Sequence, residues 1–171
     1  AVASAQVVGT GFDITSAPMP AQALVRTFNE NDFVTFDGTS VDHWQENGTL
    51  VQNLAVLPQA GTPGFLTISP TQDLIVVGQR NTGLIYKVNP DGLGFLFLNT
   101  IVQNRSGSFL DNDNVAVAGI PPGSGKLSFA RIDVNSGVRT VFGEIQSGPA
   151  PLTTDIDGNL YFGINSDQVP A

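Results

Sequence analysis

The sequence predicts an all-β fold for this 171-residue chain. Three observations predict it: short apolar runs rich in β-prone residues, frequent glycine and proline between them, and no window of about eleven residues with a helical apolar period. The chain holds 19 glycines and 11 prolines. Most prolines fall between the runs, where a missing amide proton removes no ladder hydrogen bond. With 41% hydrophobic residues, the chain can bury a core, and its length suits one domain.

An internal repeat organises the chain. Four segments share an Asp or Asn, a brief apolar run and a closing glycine, and they span residues 32–38, 73–78, 114–119 and 159–163. The closing glycines, Gly38, Gly78, Gly119 and Gly163, are 40, 41 and 44 residues apart. A second series lies between them, at residues 46–48, 90–92 and 135–137. Its Asn-Gly, Asp-Gly and Ser-Gly pairs favour hairpin turns, because glycine adopts a positive φ without steric cost.

Each unit is therefore predicted to form four strands. In the second unit these strands cover residues 64–69, 73–78, 83–89 and 94–101. Four-stranded units at this spacing are typical of β-propeller blades. We expect a single domain, residues 1–171, with about four four-stranded blades. Its units are approximately residues 15–58, 64–102, 108–146 and 150–171, plus an N-terminal strand at residues 6–14.

The fourth unit is shorter than the others, and three explanations stay open. The N-terminal strand completes it and closes the ring, the chain is part of a larger propeller, or several copies assemble and complete one another. Propellers usually have about four to eight blades, and an unclosed array leaves strand edges exposed to association.

Several of these segments resemble a known family of propellers. Residues 155–163, DIDGNLYFG, resemble the D-x-D-G-N-L-Y strand pair of NHL and gluconolactonase-like propellers, and residues 86–92 and 131–137 resemble their outer hairpins. The resemblance covers roughly residues 24–163 and implies a propeller fold. It also implies an alternative function, a lactone hydrolase that holds a divalent ion at its channel with carboxylate and amide side chains.

The acidic turns supply the candidate metal ligands. Asp32, Asp113 and Asp157 occupy the same place in their units, before the second strand, and oxygen ligands of this kind suit Ca²⁺. Asp and Asn also stabilise tight turns through their own backbone. Unit two has residues 70–73, PTQD, at this place, so no ligand set repeats. We therefore favour a structural role for these residues in the turns and expect no cofactor. Calcium binding is the alternative.

No catalytic set is predicted. The chain has no cysteine and one histidine, so a nucleophilic triad or a multi-histidine metal site within the chain would depend on His43. Counting back from the turn glycines places His43 level with Lys87, on a polar, solvent-facing side of its strand. The same count places Trp44 level with Val88, in the core.

Composition and charge limit the function classes. Seven Lys and Arg against fifteen Asp and Glu give a net charge of −8, which disfavours nucleic-acid binding, and no apolar run is long enough to span a membrane. Low charge, and small residues at positions 1, 3 and 5 like the end of a signal peptide, predict a secreted, extracellular or periplasmic protein. We expect a non-catalytic binding or scaffold module whose protein, small-molecule or glycan ligand meets the loops at one end. The alternatives are the metal-dependent hydrolase and a self-associating extracellular structural subunit.

Overall fold

The structure, a computed structural model, describes residues 4–5, 17–18, 23–29, 31–144, 152–155 and 157–163. All regular secondary structure in these ranges is β-strand. Two short strands, β1 (Ser4–Ala5) and β2 (Ala17–Pro18), pair with each other. The strand predicted at residues 6–14 lies outside the described residues.

Three antiparallel four-stranded sheets follow, each hydrogen-bonded in chain order. Blade 1 consists of β3 (Leu24–Phe28), β4 (Asp32–Phe36), β5 (Ser40–Trp44) and β6 (Leu50–Val56). Blade 2 consists of β7 (Pro63–Ile68), β8 (Ile75–Gln79), β9 (Leu84–Val88) and β10 (Phe95–Thr100). Blade 3 consists of β11 (Val102–Phe109), β12 (Asn114–Ile120), β13 (Ser128–Asp133) and β14 (Arg139–Glu144). A two-stranded sheet, β15 (Leu152–Thr154) and β16 (Leu160–Phe162), comes after blade 3.

The predicted all-β array of blades is confirmed, and the hairpin glycines have the predicted geometry. Gly48, Gly92 and Gly137 lie in the turns before the fourth strands with φ of 82°, 76° and 71°. Blade 3 begins at Val102, earlier than the expected residue 108. Only Ile101 separates β10 from β11, so no loop in the sequence marks where blade 3 begins. The register of β11 against β12 also shifts between Val102 and Ser106, and the first half of β11 therefore lacks the alternating apolar pattern of a strand.

The first strands of successive sheets contact one another: β3 with β7, β7 with β11, and β11 with β15. They therefore surround a common axis, and the fourth strands form the rim, as in a propeller.

The turns before the second and fourth strands lie at one end of the array, which we call the turn end. It comprises residues 29, 31, 69–74, 110–113, 155 and 157–159, and residues 45–49, 89–94 and 134–138. The other end holds the remaining connections and is called the linker end.

The core lies between blades, because successive side chains of a strand point to opposite faces. Ile75 and Val77 of β8 pack in one cluster with Val34 and Phe36 of blade 1. Val76, between them, packs in a second cluster with blade 3. The run at residues 74–77 is apolar on both faces because both faces are covered.

His43 and Trp44 show how this packing depends on the neighbouring blade. The prediction of a solvent-facing His43 is wrong: its side chain is 12% exposed, since it pairs with Val34 and shares the face covered by blade 2. Trp44 faces the opposite way and is half-buried, whereas Val88 at the matching place is fully buried against blade 1. Among the described residues no four-stranded sheet precedes blade 1, so the same register gives Trp44 less cover.

No helix in the described ranges has the length and apolar character needed to cross a membrane.

Candidate functional site

A cavity of about 340 Å³ lies at the turn end of the axis. The first strands of blades 1 to 3 and strand β15 line it, with Arg26 and Thr27 of β3, Thr67 of β7, Ser108 of β11 and Thr153 of β15. Threonine suits these positions because its branched side chain favours a strand while its hydroxyl can still bind a polar group. The cavity is therefore lined mainly by hydroxyl groups.

The first turn of blade 2 adds Ser69 and Gln72 to the lining. Ser69 Oγ donates to Asp73 Oδ1 at 2.7 Å and accepts from the Leu74 amide at 3.1 Å. Gln72 has a φ of 59°, and its Oε1 accepts from the Asn29 amide of blade 1 at 2.6 Å. That bond fixes the orientation of the Gln72 amide and leaves its Nε2 group as a donor.

The hydroxyl proton of Ser108 forms a hydrogen bond within the protein. Thr154 Oγ1 donates its single proton to the Phe109 carbonyl at 2.6 Å. Ser108 Oγ lies 2.9 Å from Thr154 Oγ1, so Ser108 is the donor in that pair. These bonds join blade 3 to β15 and hold the wall of the cavity.

Arg26 is the one charged side chain among the described residues that line the cavity. Its Nε donates to the Leu66 carbonyl of blade 2 at 3.2 Å, which orients the guanidinium group. The cavity thus carries a positive charge although the chain carries −8.

Carboxylates are frequent in the turns of the turn end. The described turns hold seven, namely Glu46, Asp73, Asp91, Asp111, Asp113, Asp155 and Asp157, and the sequence of these turns contains no Lys or Arg. Local hydrogen bonds lower the pKa of Asp73 and Asp155 in these turns and of Asp133, the last residue of β13. The Thr71 hydroxyl, then the Ser69 hydroxyl, lowers the pKa of Asp73; Ser136 lowers that of Asp133; and the Asn159 amide lowers that of Asp155. These three carboxylates therefore accept hydrogen bonds from neighbouring residues that stabilise the turns.

We predict that acidification destabilises the fold through these aspartates. Because their pKa values are lower in the folded state, the stability they contribute is present above the unfolded pKa of about 4 and is lost as the pH falls through the folded values. The melting temperature should fall below a pH of about 4, and Asp133→Asn should reduce that fall. The measurement is a series of thermal melts against pH.

Asp42 supplies a control of opposite sign. Burial raises its pKa, so protonation of Asp42 relieves a penalty as the pH falls. Asp42→Asn should leave the acid-induced loss of stability as steep as in the parent protein, or steeper. A flatter profile in Asp42→Asn than in Asp133→Asn would contradict the assignment.

The three candidate metal ligands lie in the first turns of three different sheets or beside them, each with its own contact. Asp32 Oδ2 lies 2.8 Å from His43 Nε2, and Asp113 Oδ1 accepts from Asn135 Nδ2 at 2.9 Å. The Asp157 amide donates to Asp155 Oδ1 at 3.0 Å. In the described part of the chain, no group of three or more His, Asp or Glu side chains is arranged to hold a metal ion. Calcium binding by these residues stays a prediction.

Sequence reasoning missed the axial cavity. Its only signal is that Thr27, Thr67 and Thr153 stand near the turn-end termini of the first strands. Such residues are common in any strand, and they become one surface only when the blades are arranged around the axis.

The blades and their axial cavity define a β-propeller, and the fold expected from the NHL-like resemblance is confirmed. The chain is similar to the propeller in the crystal structure of a nidogen/laminin complex, with 12% identity, a TM-score of 0.67, and coverage of 87% of this chain and 60% of that one. It is also similar to catalytically inactive virginiamycin B lyase from Staphylococcus aureus with quinupristin, with 15% identity, a TM-score of 0.67, and coverage of 88% and 52%. A third similar structure is hydrazine synthase from Kuenenia stuttgartiensis, with 14% identity, a TM-score of 0.63, and coverage of 92% and 49%.

At these identities the likeness shows the fold alone. The chain spans 49% to 60% of the length of those three structures. No protein-family model matches the sequence, and no curated protein sequence matches it.

Proposed function

We propose that this protein is a non-catalytic β-propeller binding module and that a small polar molecule or glycan binds in its axial cavity. The observation that carries the proposal is the lining: four successive sheets contribute hydroxyl groups to one cavity of about 340 Å³. Thr27, Thr67 and Thr153 make no side-chain hydrogen bond to another described residue, so their hydroxyls can bind a ligand. A pocket with a few convergent polar groups is the usual form of a small-molecule site.

The position of the single histidine supports a binding role over hydrolysis. His43 lies on the third strand of blade 1, where it contacts Asp32 and packs edge-on against Phe28 at 5.1 Å between ring centres. It is not among the residues that line the cavity. A hydroxyl in the cavity would therefore act without the histidine base that activates such a nucleophile. The similar structures include both a protein complex and a lyase, so the fold itself is compatible with either role.

Nuclear magnetic resonance can test where a ligand binds. A panel of neutral and acidic monosaccharides should shift the backbone amides of Thr27, Thr67 and Thr153. Thr67→Val keeps the side-chain shape and removes one hydroxyl, so it should weaken binding roughly 10-fold. Thr140→Val, on the exposed rim strand β14, is the matched control and should bind as the parent does. Shifts confined to other surfaces would contradict the proposal.

Metal removal tests the hydrolase alternative. For a binding module without calcium, the melting temperature should be the same with EDTA and with added Ca²⁺, because a bound ion would stabilise the native state by mass action. A rise in the melting temperature with Ca²⁺ that Asp113→Asn abolishes would instead support a calcium site. Asp42→Asn, outside the candidate set, serves as the control.

We also propose that the protein is exported. Support comes from the low charge of the chain, 13% Asp, Glu, Lys and Arg. An antibody should detect the protein in a periplasmic or extracellular fraction of its source. Detection in the cytosol alone would contradict export.

A further inference from the structure

We infer that the ligand of the axial cavity carries a single oxyanion group on a hydroxyl-bearing scaffold, and that Arg26 binds that group. This inference rests on the proposed function, because it specifies the ligand of the same cavity. Its first basis is the balance of donors and acceptors in the lining. Gln72 Oε1 is engaged by the Asn29 amide, and Ser69 Oγ both donates and accepts within its own turn.

The remaining groups of Arg26 and Gln72 are donors only, and the threonine hydroxyls can both donate and accept. Gln72 Nε2 carries two protons, the guanidinium of Arg26 carries four on its two terminal nitrogens, and each threonine hydroxyl carries one. Ser108 offers lone pairs alone, because its proton goes to Thr154. Arg26 and Gln72 Nε2 can only donate and the threonine hydroxyls can donate as well, so the lining suits a ligand that is rich in acceptors, and an oxyanion is the strongest acceptor available.

Arg26 is oriented for such a ligand. Its Nε bond to the Leu66 carbonyl directs one edge of the guanidinium group towards the wall, and the two terminal nitrogens remain. Within the described residues the side-chain contacts between a basic residue and a carboxylate are His43 with Asp32 and Lys126 with Glu144, so Arg26 is not paired with a carboxylate there. A planar guanidinium group binds two oxygens of one carboxylate or phosphate at the same time.

The acidic turn end limits the size and charge of that ligand. Asp73 is next to Ser69, and Asp111, Asp113, Asp155 and Asp157 lie in the neighbouring turns. A polyanion would contact several of these carboxylates and be repelled. A small molecule with one anionic group can reach Arg26 while its hydroxyl groups bind Thr27, Thr67 and Thr153. The chemistry fits a sugar acid or a monophosphorylated sugar.

Calorimetric titration with three probes on one scaffold tests the inference: D-glucuronate, D-glucose 6-phosphate and D-glucose. The anionic probe that fits should bind the full chain roughly 10- to 100-fold more tightly than glucose, the range expected for charge-assisted hydrogen bonds. Binding of glucuronate alone identifies a carboxylate ligand, and binding of glucose 6-phosphate alone identifies a phosphate ligand. Equal binding of all three probes would overturn the inference.

Variants separate this inference from the proposed function. Arg26→Gln should abolish the preference for the anion, while Arg26→Lys, which keeps the charge without the planar fork, should give an intermediate preference. Arg131→Gln removes the same charge at an exposed position outside the cavity lining and should have no effect. If glucose shifts the cavity amides and Arg26→Gln changes nothing, the inference fails and the proposed function stands. If no probe shifts those amides, both fail.

Discussion

Replacing Gln79 with alanine is expected to destabilise the protein by about 3 kcal/mol, because it removes a buried hydrogen-bonding group that joins two blades. Gln79 is fully buried. Its Nε2 donates to the Gly38 carbonyl at 2.7 Å and to the Gln59 carbonyl at 2.6 Å, and its Oε1 accepts from the Thr82 hydroxyl at 2.7 Å. Alanine would leave two carbonyls without their donor and open a cavity where the side chain was.

Gln52 provides the matched control. Its Nε2 also donates to a carbonyl of the next blade, that of Asp91 at 3.3 Å, but this bond is exposed. Water can replace an exposed bond, so Gln52→Ala should cost less than about 0.5 kcal/mol. Urea unfolding followed by circular dichroism measures both free energies of unfolding. Equal losses in the two variants would show that burial of the Gln79 bonds is not what stabilises this junction.

Asn104 provides a similar buried amide one blade further along the chain, and it also donates to a carbonyl of the preceding blade. Its Nδ2 donates to the backbone carbonyl of Gln79 at 3.1 Å and to that of Ile101 at 2.9 Å, and the residue is fully buried. Gln79 thus ties blade 2 to blade 1 and Asn104 ties blade 3 to blade 2, both at the linker end. The blades are therefore held together there by buried amides as well as by the apolar clusters between their faces.

The repeat and the strand pattern could be predicted from sequence because both are local. Hairpin glycines and apolar runs act within a few residues, so their spacing indicates four-stranded blades before any contact between blades is known. The run at residues 74–77 even predicts cover on both faces, and the clusters on its two sides agree.

Contacts between blades could not be predicted, because their partners are about one repeat apart in sequence. Gln79 follows an apolar run and looks like the first residue of a loop, and its acceptor Gly38 is 41 residues away. His43 looked solvent-facing for the same reason, since the blade that covers its polar face follows it in the chain. The axial cavity shows this most clearly. Its residues come from four sheets, and no hairpin joins the strands that carry them.

Gly64→Ala should lower the free energy of unfolding by about 3 kcal/mol, at the upper end of the usual cost of overpacking. A methyl group at Gly64 would overlap the side-chain and backbone oxygens of Asn104 and would lie 2.9 Å from the Gly78 carbonyl. Two of these three atoms belong to the backbone, which cannot rotate away as a side chain can. Relief would therefore require β7 and β11 to separate, and that separation would also strain the Asn104 bonds to blade 2.

Gly143→Ala is the control for this prediction, since its added carbon would meet only a ring carbon of Phe129, at an ordinary 3.5 Å. We expect a change within about 0.5 kcal/mol, measured by the same urea titration. Adding Asn104→Ala to Gly64→Ala should not restore stability, because the backbone oxygen of residue 104 stays in place. Recovery in that double variant would show that the Asn104 side chain alone causes the clash, and that the first strands can approach each other without glycine at residue 64.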